Sequence, residues 1–348
     1  MSVPEALGMS LRELQEAVGS RQGALAVKRW LHEGGLRGNP PSEIPGLSRR
    51  GQEWLRDRPP YPAHSLGHEA HGADGTQRYT LETGGASVEF VLIPRKARVA
   101  VCLSCQAGCS RRCAFCATAL LGLVRPLTAA EMVLQFVLGS AAHGSAPRNV
   151  VFMGMGEPMD NLDEVLRAIT HLTEPPLPAL SVNRVTVSTS GVVPGMRRFL
   201  NEGKGNLALS LNATTDEVRE RLMPHTARWP IGALLDVLRE GLASQPGRRY
   251  FIEYVLLDGV NDTDEDAWRL IDLLAGLPAV VNLIPYNRFP EAAWRPPPPE
   301  RVARFQRLVA NGLIRCLVRQ PMGADVAAAC GQLALRRASP LAGPETPA

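Results

Sequence analysis

Residues 97–116, ARVAVCLSCQAGCSRRCAFC, join an apolar run to a loop dense in cysteine. The run predicts a buried strand, because β-branched and small apolar residues follow one another without polar alternation. Working outward, six further runs of this kind follow: NVVFMGMG (149–156), NRVTVSTS (183–190), NLALSLNA (206–213), RYFIEYVLL (249–257), AVVNLIPY (279–286) and LIRCLVRQ (313–320). Between them lie segments with helical periodicity: TAAEMVLQFVLGSAA (128–142), NLDEVLRAITHL (161–172), IGALLDVLREGLA (231–243), DEDAWRLIDLLAG (264–276) and ERVARFQRLVANG (300–312). Strand followed by helix, repeated, means a parallel sheet with crossover helices. Six or seven units predict an α/β fold, a partial (β/α) barrel. In that architecture the loops after the strands carry the active site, so the cysteine loop stands where chemistry is expected.

Upstream, residues 1–62 read as a small helical accessory domain. SLRELQEAV (10–18) places Leu11, Leu14 and Val18 at helical spacing, and ALAVKRWLHEGG (24–35) ends in Gly34–Gly35, a helix stop. PPYPAHSLGHEAHGADG (59–75) reads as a linker. Its His64, His68 and His71 suggest metal ligands, but the glycines among them disfavour the helix that would align them. QRYTLETGGASVEFVLIP (77–94) is two alternating runs around Gly84–Gly85, a β-hairpin. The predicted organisation is therefore an accessory domain (1–62), a linker with hairpin (63–96), a barrel core (97–336) and a disordered tail (337–348).

Composition narrows the setting. No run of about 18 uncharged apolar residues occurs, so no membrane span is expected. The start, MSVPEALGMSLRELQEAV, lacks the basic flank of a secretory signal. A net charge of +4 and pI near 8.8 are compatible with RNA binding but common among soluble enzymes. Arg-rich LSRRGQEWLRDR (47–58) offers phosphate contacts or a solvated face. Five of the seven cysteines lie between Cys102 and Cys116, with Cys316 and Cys330 far downstream. This odd, clustered set argues for metal or redox chemistry in a reducing, cytoplasmic compartment rather than a disulfide framework.

Cys109, Cys113 and Cys116 form C-x3-C-x2-C. Three thiolates at this spacing suit a [4Fe–4S] cluster, which usually takes four, and leave one iron open. An open iron can chelate the amino and carboxylate groups of S-adenosylmethionine and deliver the electron that breaks its sulfonium bond. A structural zinc site, with Cys102 or Cys105 as fourth ligand, and free buried cysteines are the alternatives left by the spacing.

CLSCQAGCSRRCAFCATALLG (102–122) followed by VFMGMGEPMDN (151–161) resembles the RlmN/Cfr family of radical S-adenosylmethionine RNA methyltransferases. The resemblance continues in NRVTVSTSGVVPGM (183–196), LALSLNATTDEVRERLMP (207–224), IEYVLLDGVND (252–262), VNLIPYNRFP (281–290) and ADVAAACGQL (324–333). It implies a barrel of the radical S-adenosylmethionine type and methylation of an adenine carbon in RNA. The implied cofactors are a [4Fe–4S] cluster on Cys109, Cys113 and Cys116, and S-adenosylmethionine. Gly156, Glu157, Ser188, Ser210, Leu211, Asn212 and Asn287 match cofactor contacts. Cys330 matches the cysteine that carries the methyl group, Cys102 its disulfide-forming partner, and Glu89 the proton acceptor. Individually, Glu157 also suits a helix N-terminus, Asn287 a turn, and Glu89 the solvent face of a strand.

The implied chemistry answers a difficulty of the substrate. Carbons 2 and 8 of adenine are electron-poor and do not attack a sulfonium methyl group, whereas a carbon radical adds to them. The expected partners are ribosomal RNA, with transfer RNA as a second substrate, and an electron donor such as a flavodoxin or ferredoxin, with the enzyme a monomer. Methylation at carbon 8, the Cfr-type outcome, and a non-catalytic zinc-stabilised RNA-binding protein are the alternatives. The chain departs from the family pattern at Asn212, where histidine is usual, at Cys105, where serine is usual, at Pro126, and in RFPEAAWRPPPPE (288–300).

Overall fold

The computed structural model describes residues 5–33, 36, 42, 44–95, 98–176, 178–202, 204–226 and 228–335. The expected helix stop at Gly34–Gly35 and the tail 337–348 lie outside the described residues. The chain opens with helices α1 (Leu11–Val18), α2 (Arg21–Glu33) and α3 (Arg49–Arg56). Strands β1 (His64–His71), β2 (Gln77–Thr83), β3 (Ala86–Arg95) and β4 (Arg98–Cys102) follow, then the short pair β5 (Gln106–Gly108) and β6 (Leu123–Pro126). The remaining order is α4 (Ala129–His143), β7 (Asn149–Phe152), α5 (Leu162–Thr173), β8 (Val185–Thr189), α6 (Val193–Glu202) and β9 (Asn206–Ser210). After these come α7 (Asp216–Leu222), α8 (Ile231–Ser244), β10 (Tyr250–Leu256), α9 (Asp264–Leu273), β11 (Ala279–Pro285), α10 (Pro299–Asn311) and β12 (Arg315–Val318).

Ten strands make one sheet in the order β1-β2-β3-β4-β7-β8-β9-β10-β11-β12. From β4 to β12 every pairing is parallel, as the strand–helix alternation predicts. β1 to β4 pair antiparallel. The expected hairpin is β2–β3, but it is no separate appendage: β3 pairs with β4 and so extends the barrel sheet. Residues 64–71, expected within a linker, form β1 instead. Pairing to β2, with an irregularity between Leu66 and Glu69, supplies the order that its Gly- and His-rich composition does not suggest. Its side chains are almost all exposed, as suits an edge strand.

The sheet does not close. β4 and β12, the first and last parallel strands, are not hydrogen-bonded to each other. Residues 323–335 bridge between the two ends of the sheet. Gly323 N–H donates to Asp74 Oδ2 at 2.8 Å, and Ala73 N–H to Asp325 Oδ2 at 2.8 Å, so two aspartates fasten this segment to the β1–β2 turn. At its far end Leu335 N–H donates to Glu89 Oε2 on β3 at 3.0 Å.

The main core is an apolar body running from the N-terminal helices through the barrel, and a smaller cluster of Leu222, Met223, Leu257 and Tyr286 packs against Cys113 and Phe115. α4 shows why the pattern folds this way: Thr128 and Glu131 form a capping box, and nearly the whole helix is buried between sheet and N-terminal helices. Glu131 also binds Arg125 Nη2 at 2.6 Å, which pins β6 to the helix. At the junction with the N-terminal helices, buried Lys28 Nζ donates to Glu174 O at 2.7 Å. There, too, His32 Nε2 meets His171 Nε2 at 3.0 Å. Among the described residues no helix is long and apolar enough to cross a membrane.

Candidate active site

A single cavity opens at the C-terminal ends of the parallel strands. The β4 loop contributes Cys109, Cys113 and Cys116, and the segment after β7 contributes Gly154, Gly156 and Glu157. β8 and β9 contribute Ser188 and Ser210, and the turn after β9 contributes Asn212. Asn287 follows β11, and Cys330 comes from the bridging segment. Ten of the thirteen residues expected at the site thus line one space: the three motif cysteines with Gly156, Glu157, Ser188, Ser210, Asn212, Asn287 and Cys330. Leu211, Glu89 and Cys102 do not line it. Leu211 is fully buried in the core, and its N–H donates to Glu253 O at 3.0 Å.

Cys330 is held by its neighbours. Asn287 Nδ2 donates to Cys330 O at 3.1 Å, and Ala117 N–H donates to Gly331 O at 2.7 Å. Thr118 Oγ1 donates to Leu333 O at 2.7 Å, and Gln332 Nε2 to Arg288 O at 2.8 Å. The residues just past Cys116 are therefore stitched to the residues just past Cys330. The Cys330 residue itself is accessible, while Cys102 is buried on β4. All seven cysteines are free thiols. Burial, then the nearness of Cys330, pushes the Cys102 thiol up to about 12.

Several expected residues carry structural bonds. Glu157 accepts from Ser190 N–H at 2.7 Å, Ser190 Oγ at 2.6 Å and Met159 N–H at 3.0 Å, while its own N–H donates to Gln106 Oε1 at 2.9 Å. Gly156 has φ +106°, and a Cβ there would meet Gln106 Cβ at 2.6 Å, so the turn requires glycine. Asn212 sits at φ +58°, a left-handed position that asparagine tolerates. Its Oδ1 accepts from Val255 N–H at 2.9 Å, and Asn261 Nδ2 donates to its carbonyl at 2.7 Å. Glu89, for which the solvent face of a strand was the alternative reading, is fully buried, with Oε1 accepting from Arg78 Nη1 at 2.8 Å. Burial raises its pKa against the pull of Arg78.

The family model of the radical SAM superfamily matches residues 103–274. A relative from Geobacter sulfurreducens named dual-specificity RNA methyltransferase RlmN is 40% identical, covering 94% of this chain and 91% of its own length. One from Myxococcus xanthus, named dual-specificity RNA methyltransferase RlmN 2, is 41% identical over 93% of this chain and 88% of its own. The chain belongs to the RlmN/Cfr family of radical S-adenosylmethionine RNA methyltransferases. The crystal structure of a radical SAM methyltransferase from Sphaerobacter thermophilus matches it with a TM-score of 0.87 and 38% identity, over 95% of this chain and 99% of that one. Membership in an enzyme family sets aside the reading as a non-catalytic zinc-stabilised protein.

The RlmN/Cfr family implies a [4Fe–4S] cluster and S-adenosylmethionine, and the cavity has the chemistry for both. Three thiols face it, and the Tyr286 hydroxyl, buried beside them, has no hydrogen-bond partner. Among the described residues no three His, Cys, Asp or Glu side chains converge on one metal ion. A cluster asks for a different arrangement, since each thiolate takes a different iron. Burial drives the Cys113 and Cys116 thiols up and Cys109 to about 12, so ionised ligands here need a positive metal to hold them.

Sequence reasoning missed other members of the cavity. Arg111 Nε donates to Asp160 Oδ2 at 3.0 Å at its rim. Behind the lining residue Ser190, and not itself lining the cavity, buried Arg219 donates to Ser190 O and, at 2.8 Å, to Thr226 Oγ1. Glu253 on β10 and Arg319 after β12 also line it. The signal for Glu253 was present: a lone carboxylate inside RYFIEYVLL is costly to bury unless it has work there.

Proposed function

We propose that this enzyme methylates carbon 2 of an adenosine in 23S ribosomal RNA, with transfer RNA as a second substrate, through a methyl group carried on Cys330. The observation that carries the reading is that Cys330 and the three motif cysteines face one cavity, with the Cys330 segment hydrogen-bonded to residues 117 and 118. The name of the relatives, dual-specificity RNA methyltransferase, supports more than one RNA substrate.

On this reading Cys109, Cys113 and Cys116 hold the cluster, and Gly156, Glu157, Ser188 and Ser210 line the place of the cofactor's methionine and ribose. When bound, the cluster would supply the electron that turns S-adenosylmethionine into a radical able to take a hydrogen atom from the Cys330 methyl group, and would take back the electron left on the adenine adduct, an external donor of the flavodoxin or ferredoxin kind having first put it in its reduced state. Cys330 acts first as a nucleophile: its exposed thiol gives up its proton to water, and the sulfur bonds the methyl carbon as the sulfonium–methyl bond breaks. Asn287, by holding the Cys330 carbonyl, fixes where that methyl stands. After the carbon has joined adenine, Glu89 takes the ring proton. Its Oε2 is engaged by Leu335 N–H, so this step requires the end of the bridging segment to move aside. Cys102 then attacks the Cys330 sulfur. A disulfide forms, the carbon–sulfur bond breaks with its electron pair going to the adenine substituent, and a proton completes the methyl group. A reducing thiol restores the pair.

Mass spectrometry of RNA nucleosides tests this. RNA from a strain lacking the gene should lose 2-methyladenosine and regain it on complementation. Loss of 8-methyladenosine instead would assign the Cfr-type outcome, and no change in either would refute the reading.

A further inference from the structure

Glu253 lies midway along β10, in register with Ser210 on β9 and Asn282 on β11. Asn282 pairs in turn with Leu317 on β12, and Arg319, two residues on, falls on the same face. Parallel partners share a face, so Ser210, Glu253, Asn282 and Arg319 form a polar row across the inner wall. Glu253 is 5% exposed, and Asn282 Nδ2 donates to its Oε1 at 2.8 Å. Among the described residues its other oxygen accepts no hydrogen bond, and Glu253 lines the cavity. Arg319 is half-buried, lines the same cavity, and makes no ion-pair contact among the described residues. A carboxylate and a guanidinium thus line the same cavity as the Cys330 thiol.

Glu253 stands on β10 and Arg319 just past β12, whereas the expected cofactor contacts run from Gly156 and Glu157 after β7 through Ser188 on β8 and Ser210 on β9 to Asn287 after β11, so the pair flanks the far part of that arc. A target base must leave its stack to reach Cys330 inside the barrel. Adenine presents a 6-amino donor beside ring-nitrogen acceptors. A carboxylate accepts from the first and a guanidinium donates to the second. We propose that Glu253 and Arg319 grip the edge of the flipped adenine: Glu253 accepts from the 6-amino group, and Arg319 donates to a ring nitrogen. This rests on the reading of the substrate as an adenine in RNA. The carboxylate also repels the 6-oxygen of guanine, which makes Glu253 a specificity residue.

The test uses the reconstituted full-length enzyme and an RNA fragment that it methylates, carrying either adenosine or purine riboside, which lacks the 6-amino group, at the target. The wild type is expected to lose about tenfold to a hundredfold in kcat/KM on purine riboside, the usual effect of deleting a hydrogen bond to a charged group. In Glu253→Gln, Asn282 Nδ2 keeps the amide oxygen, so an N–H faces the cavity and cannot accept. The adenosine preference should then fall to near unity. Arg319→Gln, at the open edge, provides the second variant. The wild type should slow on 1-deaza- or 7-deaza-adenosine RNA, whichever lacks the contacted nitrogen, and Arg319→Gln should not slow further.

An adenosine preference in Glu253→Gln equal to the wild type overturns the Glu253 assignment, and unchanged deaza discrimination overturns that of Arg319. Weakened S-adenosylmethionine binding with both discriminations intact would place the pair on the cofactor and overturn the proposal. If the wild type methylates no adenine in RNA, the functional reading itself fails, and this one with it.

Discussion

The backbone N–H of Ala117 donates to the carbonyl of Gly331 at 2.7 Å, tying the residue after the third motif cysteine to the residue after Cys330. The proposed cluster ligands and the proposed methyl carrier are thereby tied to one another although they come from the first parallel strand and from the segment after the last.

Cys330→Ala is expected to abolish RNA methylation and to leave no methyl group on the protein. Cys102→Ala should stall later and accumulate a covalent protein–RNA adduct, visible as a band of reduced mobility that nuclease treatment collapses. Normal turnover by Cys102→Ala would contradict its role in release.

Replacing any one of Cys109, Cys113 and Cys116 by Ala should remove most iron and sulfide after anaerobic reconstitution and bleach the brown absorbance, because three ligands already fall one short of the usual four. The fold should survive, since these side chains lie on a loop outside the main apolar core; far-ultraviolet circular dichroism would register any loss.

Arg78 and Glu89 are 1% and 0% exposed and pair at 2.8 Å. Arg78→Met strands a buried carboxylate and should cost about 3–5 kcal/mol in denaturant unfolding. Arg78→Met with Glu89→Met should recover part of that loss. If the double variant is no better than the single one, the buried charge is not the cause.

Lys28 is fully buried, and burial lowers its pKa from 10.5 to about 8. Between these values the unfolded chain holds more protons than the folded one, so stability rises with pH across this window. The gain should reach up to about 3 kcal/mol. Thermal unfolding of wild type and Lys28→Met between pH 8 and 10.5 should show this rise only in the wild type.

Asn212→Ala removes the acceptor of the Val255 N–H and places alanine at φ +58°. A loss of about 1–3 kcal/mol is expected from the unpaired N–H alone. Asn212→Asp, which keeps an acceptor, should lie much closer to the wild type in melting temperature.

The barrel was legible because its seven parallel strands are short apolar runs separated by helices of clear period. The cysteine loop was legible because its spacing is specific. β1 was not: nothing in HSLGHEAH alternates, and only its pairing to β2 makes it a strand. The fate of Glu89 was equally hidden, because Arg78 and Leu335, which bury and bind it, are 11 and 246 positions away. Asn212 was legible as a departure from a family pattern but not as a left-handed residue holding β10. Glu253 and Arg319 sit in apolar runs that secure the strands, and only the register across β9 to β12 sets them on one wall.

An open sheet has a further consequence. A fully closed barrel would have to tear a main-chain ladder to admit a bulky nucleotide. Here the seam between β12 and the antiparallel strands is occupied by residues 323–335, held by scattered hydrogen bonds, the main-chain bond from Ala117 to Gly331 among them, rather than by strand pairing. Parting that segment from its neighbours would break no strand ladder, and Cys330 lies within it.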